Sequence, residues 1–116
     1  MRIGVAINDE KGLESQVSAH FGRCLYYLIL EVKGELEQSV EIIPNPYFRE
    51  HGQPGQVPSF LKEQQIEVII CGGMGPRALS FFREYGIKVV TGATGKAKDA
   101  VDDFLQGKLA GEEPCH

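Results

Sequence analysis

Cysteine is scarce. Cys24, Cys71 and Cys115 are an odd number and form no C-x-x-C pair. That excludes a disulfide framework, and it excludes a closed zinc site built from cysteine alone, which needs four ligands at short spacings. Free thiols in a reducing compartment are the expectation. Long apolar runs are missing too. The longest, Cys24 to Leu30, has seven residues, against the ~20 needed to span a bilayer as a helix. Basic residues do not predominate: 12 Lys and Arg against 16 Asp and Glu give a net charge of −4. Generic nucleic-acid binding through phosphate neutralisation is disfavoured on that count. The apolar start, Met1 to Ile7, stops at Asn8-Asp9-Glu10. It lacks a full h-region and a cleavage site, so no signal peptide is expected. The expectation is a cytoplasmic protein with neither nucleic acid nor membrane as partner.

Familiar catalytic sets are absent as well. No serine sits in a G-x-S-x-G elbow. His20, His51 and His116 are far apart, with no H-x-x-x-H pair. Asp9 ends the first strand, but no second acidic residue stands at another strand end to complete a two-metal carboxylate site.

What is present fits one globular domain. The 116 residues are 42% apolar and 24% charged, an ordinary balance at a common domain size. Ile3, Val5 and Ile7 alternate with Gly4 and Ala6, which predicts a strand over 2–8. Residues 9–23 are polar and irregular and read as a loop. Residues 24–32 and 35–43 read as strands around Lys33-Gly34, an antiparallel hairpin. In the second, Leu36, Val40 and Ile42 are assigned to one face and Glu37, Ser39 and Glu41 to the other, as suits a sheet edge. Pro44 is expected to end it. Helices are predicted over 57–65, over 76–85 with Gly86 as the stop, and behind Thr94, whose hydroxyl is the expected N-cap. Short apolar strands fall at 68–71 and 87–90. The fold class is therefore α/β, a five-stranded mixed sheet flanked by helices. Strand 35–43 is expected at one edge and 87–90 at the other. The domain is drawn over 1–110, with a flexible tail over 111–116.

Three segments carry charge and glycine together. Gly72-Gly73-Met74-Gly75-Pro76-Arg77-Ala78 follows a strand and opens a helix. It reads either as a cradle for an anionic ligand, using helix amides and Arg77, or as a plain strand-to-helix turn. Thr91-Gly92-Ala93-Thr94-Gly95-Lys96 repeats the pattern. Its lysines, Lys96 and Lys98, oppose the helix dipole and read either as ligand contacts or as solvated cations. Ser18-Ala19-His20-Phe21-Gly22-Arg23 lies before the second strand, with His20 a metal ligand, an anion donor or a turn residue. Open α/β sheets bind ligands beyond the carboxyl ends of their parallel strands, and these loops all fall at that edge. Cys24 and Cys71 read as buried strand residues. Cys115-His116 offers two soft ligands in the tail.

Ser18-x-His20-Phe21-Gly22-Arg23 together with Gly72-Gly73-Met74-Gly75-Pro76-Arg77-Ala78 resembles the dinitrogenase iron–molybdenum cofactor biosynthesis family, which includes NifX, NafY and the carboxyl-terminal domain of NifB. The likeness extends over nearly the whole chain. It implies a single-domain ribonuclease H-like motif fold and non-catalytic, transient binding of an iron–sulfur or iron–molybdenum cofactor precursor cluster as cargo, with cofactor-assembly proteins as partners. It places His20 at the cluster-contacting position and Arg77 with its glycines in the second motif. Cys24 departs from the small residue associated with that place, which leaves a thiol ligand open. The residues assigned to cofactor binding are His20, Arg23, Gly72, Gly73, Gly75, Arg77, Thr94 and Lys96; those assigned to metal are His20, Cys24, Cys115 and His116. Few cysteines suit a carrier that must release its cargo, whereas a resident cluster needs about four cysteine thiolates. The rivals are a protein or enzyme acting on a phosphorylated or nucleotide ligand at the same turns, and an interaction module using edge strand 35–43.

Overall fold

The computed structural model describes residues 1–34, 36–47 and 56–109. Five strands form one sheet: β1 (Arg2–Ile7), β2 (Tyr26–Lys33), β3 (Leu36–Pro44), β4 (Val68–Ile70) and β5 (Lys88–Val90). Their order is β3-β2-β1-β4-β5. β1 pairs antiparallel with β2, and β2 with β3; β1–β4 and β4–β5 are parallel. The edges are the expected ones. Three helices are described: α1 (Gln56–Glu63), α2 (Pro76–Tyr85) and α3 (Ala97–Leu105). The tail expected over 111–116 lies outside the described residues.

The alternation of β1 divides the core. Ile3, Val5 and Ile7 join Leu28, Leu30 and Ile70 beneath α3, where Ala97, Ala100 and Val101 pack. Ala6 faces the other way, with Tyr27, Ile29 and Ile69, and is covered by Leu61 of α1 and Leu79 and Phe82 of α2. The sheet is thus a middle layer buried on both faces, which is why the central β4 is a short continuous apolar run, Val68-Ile69-Ile70. Gly86 ends α2 in the left-handed region at φ 74°, as its lack of a side chain permits.

β3 ends at Pro44 as expected, opposite Tyr26; at the end of an edge strand proline has no ladder donor to supply. Two local expectations are corrected. The two-residue period of β3 is broken, because Glu31 faces Ser39 while Val32 faces Glu37, leaving Gln38 as a bulge. Thr94 does not cap α3. Gly95 turns the chain at φ 77° and Lys96 takes the N-cap place with no side-chain cap bond.

Candidate functional site: a cationic cavity at the carboxyl ends of the strands

The loop between β1 and β2 is tied down across this edge of the sheet. Ser18 N donates to Ala6 O at 2.8 Å, and Gly72 N donates back to Ser18 O at 2.9 Å. Phe21 N donates to Gly73 O at 3.0 Å, and Val17 N to Gly95 O at 2.8 Å. These bonds give the buried backbone its partners and hold the loops after β1, β4 and β5 side by side. Gly72 is where they come closest: a Cβ there would lie 2.7 Å from Ala19 Cα. Its glycine serves this packing, and it does not line the cavity described below.

His20 is held by a serine turn. Ser18 Oγ accepts from His20 N at 3.2 Å and donates to His20 O at 2.9 Å, and Ser18 is buried. The next residue, Phe21, anchors a short 3₁₀ turn over Phe21–Arg23. Its ring is buried 5.8 Å from Tyr27 and 5.3 Å from Phe82. Its carbonyl accepts from Tyr27 Oη at 2.9 Å and from Cys24 Sγ at 3.3 Å. Asn45 Nδ2 donates to Cys24 O at 3.0 Å. A buried aromatic and five side-chain bonds thus fix the backbone on which His20 and Arg23 ride, while both residues stay exposed.

Opposite stands the start of α2. Gly75 is its N-cap, Pro76 fills the first position, and no side chain caps it. Pro76 has no N–H, so the amides of Arg77 and Ala78 are the donors left over at this end. Between the turn and the helix lies a cavity of about 510 Å³ lined by His20, Phe21, Gly22, Arg23, Pro58, Gly73, Met74, Gly75, Arg77, Ala78 and Phe81. Phe21, Pro58 and Met74 are buried and make its floor apolar. Arg23 and Arg77 supply the charge, and His20 brings an imidazole ring. No carboxylate among the described residues pairs with either arginine, and the lining contains no Asp or Glu.

The structure therefore brings together His20, Arg23, Gly73, Gly75 and Arg77. It does not bring Thr94, Lys96 or Cys24 to them. Lys96 Nζ is 2.8 Å from Glu14 Oε2; each charge stabilises the other, raising the lysine's pKa and lowering the glutamate's. Cys24 is fully buried in the core, and burial pushes its thiol up to about 11, so it stands protonated at neutral pH. Cys71 is buried too. Cys115 and His116 lie outside the described residues. No group of three or more His, Cys, Asp or Glu among the described residues is arranged to hold a metal ion. The walls were missed in the sequence. Phe81 falls off the apolar stripe of Ala78, Leu79, Phe82 and Tyr85, and an aromatic off its stripe was the available signal.

Residues 1–107 match the family described as dinitrogenase iron-molybdenum cofactor. The chain belongs to that family. Among similar proteins is the uncharacterized protein MJ0580 of Methanocaldococcus jannaschii, 31% identical over 110 residues, which are 94% of this chain and 89% of that one. The crystal structure of PH0822 is similar at 35% identity and a TM-score of 0.84, covering 94% of this chain and 93% of that one. The apo form of the orange protein from Desulfovibrio gigas has the same fold, with a TM-score of 0.86 at 24% identity over 99% of this chain and 96% of that one. Family membership relates the chain to the iron–molybdenum cofactor of dinitrogenase. No described helix is long and apolar enough to cross a membrane.

Proposed function

We propose that this protein is a non-catalytic, cytoplasmic carrier that takes an iron–sulfur cluster of the iron–molybdenum cofactor precursor kind into the cavity between the 21–23 turn and α2, and yields it to a cofactor-assembly partner. One observation carries the reading: three basic side chains, two of them arginines without a carboxylate partner among the described residues, surround an apolar floor. A sulfide-bridged cluster is large and polarisable, with its negative charge spread over many atoms. Phe21, Met74 and Phe81 offer it dispersion and Arg23 and Arg77 offer it charge. His20 supplies one inner-sphere nitrogen, few enough bonds for release.

The same geometry argues against the phosphorylated-ligand reading. A phosphate is small and strongly hydrated; it would use the guanidinium groups and the amides of Arg77 and Ala78, and gains little from an apolar floor. For hydrolytic or proton-transfer chemistry the lining offers His20 as its one candidate base, with no carboxylate in the lining to orient it.

The test is an anaerobic titration with a synthetic thiolate-capped [4Fe–4S] cluster, followed by visible absorption. The proposal expects saturable uptake by the parent and its near-complete loss in His20→Ala, with the far-ultraviolet circular dichroism unchanged because His20 is exposed on a turn fixed by its neighbours. Equal uptake by His20→Ala would show the ligand assignment wrong, and no saturable uptake by the parent would sink the carrier reading.

A further inference from the structure

Most described glycines have a reason in the backbone. Six hold positive φ, Gly86 at 74° among them, where a side chain is strained. Two more are crowded: a Cβ would come to 3.2 Å from an Ile66 methyl at Gly4, and to 2.7 Å from Ala19 Cα at Gly72. Gly22 and Gly75 have neither reason. Neither has positive φ, and a Cβ on either would meet no atom of the described residues within 4 Å. Gly75 sits at φ −69°, ψ 158°, extended backbone that suits other residues before a proline. Both line the same cavity, from separate elements.

The two share a local pattern. Gly22 stands between buried Phe21 and exposed Arg23; Gly75 stands between buried Met74 and, two places on, exposed Arg77. Each wall thus runs from apolar floor to bare backbone to cation. We infer that Gly22 and Gly75 set the width of the cavity for a bulky anion that comes against both Cα atoms. A small oxyanion at the α2 amides would touch one wall and leave Gly22 without a purpose. The inference deepens the carrier reading above and takes from it only that this cavity is the one occupied.

The parent, Gly22→Ala, Gly75→Ala, the double variant and Gly86→Ala are compared by fluorescence titration with 1-anilinonaphthalene-8-sulfonate, a bulky apolar anion, with inorganic phosphate as competitor. Each cavity methyl should weaken dye binding by roughly tenfold, the lower end of what an added methyl costs in a filled site, and the double variant should weaken it further. Gly22→Ala should keep or raise the melting temperature, because alanine restricts the unfolded chain. Gly86→Ala should lower the melting temperature and leave dye affinity alone. Phosphate should fail to displace the dye. Unchanged affinity in both cavity variants, no saturable binding to the parent, or displacement by phosphate would each overturn the inference. The synthetic [4Fe–4S] cluster separates the two readings. Uptake equal in the parent and the alanine variants removes the width inference and leaves the carrier. A dye response without cluster uptake by the parent does the reverse.

Discussion

Two strand-to-helix turns lie side by side at the same edge of the sheet, and their surroundings differ: one is covered and the other opens on a cavity. Residues 71–78 and 91–98 each hold glycines, a basic residue and the start of a helix. In the second, the openings are closed by the 9–17 loop. Ala97 N donates to Ser15 O at 2.8 Å, Gly95 O accepts from Val17 N, and Lys96 pairs with Glu14. In the first, α2 begins without a side-chain cap and Arg77 has no carboxylate partner among the described residues. Its neighbours, the 21–23 turn and Pro58, stand back to leave a cavity. A glycine turn with a cation is therefore only half a site. Whether its donors remain open is decided by what a distant segment brings to them.

The comparison can be broken hardest at the support of the open turn. Phe21→Ala should cost about 3–5 kcal/mol of stability, as for other fully packed aromatics, since it removes the ring held between Tyr27 and Phe82. A urea midpoint within error of the parent's would mean that the 21–23 turn is not anchored as described.

Next is the thiol beneath that turn. Cys24 is raised from its ordinary value near 9 to about 11 by burial, so the folded state holds its proton more tightly than the unfolded one. That contribution is complete below pH 9 and is lost as pH rises through 11, roughly 2–3 kcal/mol in all. Urea midpoints measured from pH 8 to 11 should fall more steeply for the parent than for Cys24→Ala. Parallel curves would place the thiol in contact with water.

Arg77→Ala should weaken cluster uptake by about 1.5–3 kcal/mol, the range for charged hydrogen bonds, and the residual binding should respond less to salt. Titrations at two ionic strengths read both effects; an unchanged salt response would remove the arginine from the site. The smallest effect belongs to the closed turn. Lys96→Ala should leave uptake within error, because its ammonium is paired with Glu14. A loss comparable to that of Arg77→Ala would erase the distinction between the turns.

Much of this was legible in the residues. The alternation of Ile3, Val5 and Ile7, the apolar residues within 68–71 and 87–90 and the stop at Gly86 mark the elements, and with the crossover rule they put 35–43 and 87–90 at the edges, where the structure has them. His20, Arg23 and Arg77 could be drawn together from topology, since their loops leave the same edge. The failures share a cause. Thr94 is a good cap by type, yet Gly95 turns the chain before the helix begins. Lys96 looked like a ligand contact until Glu14, distant in sequence, came within 2.8 Å. Gly72 looked like part of a cradle, and is the place where two loops touch. Pro58 and Phe81 became walls only when α1 and α2 met. Periodicity reports which face a residue takes, not which partner arrives there.

The claim at the centre is that the 71–78 turn, and not the 91–98 turn, receives the anion. Tetrathiomolybdate is a diamagnetic sulfur-rich anion, so amide shifts can be followed by nitrogen–proton correlation spectra during its titration. The amides of residues 20–23, Gly73, Gly75, Arg77 and Ala78 should move and saturate together, while those of residues 92–98 stay in place. Shifts concentrated at 92–98, or spread evenly over the surface, would contradict the account.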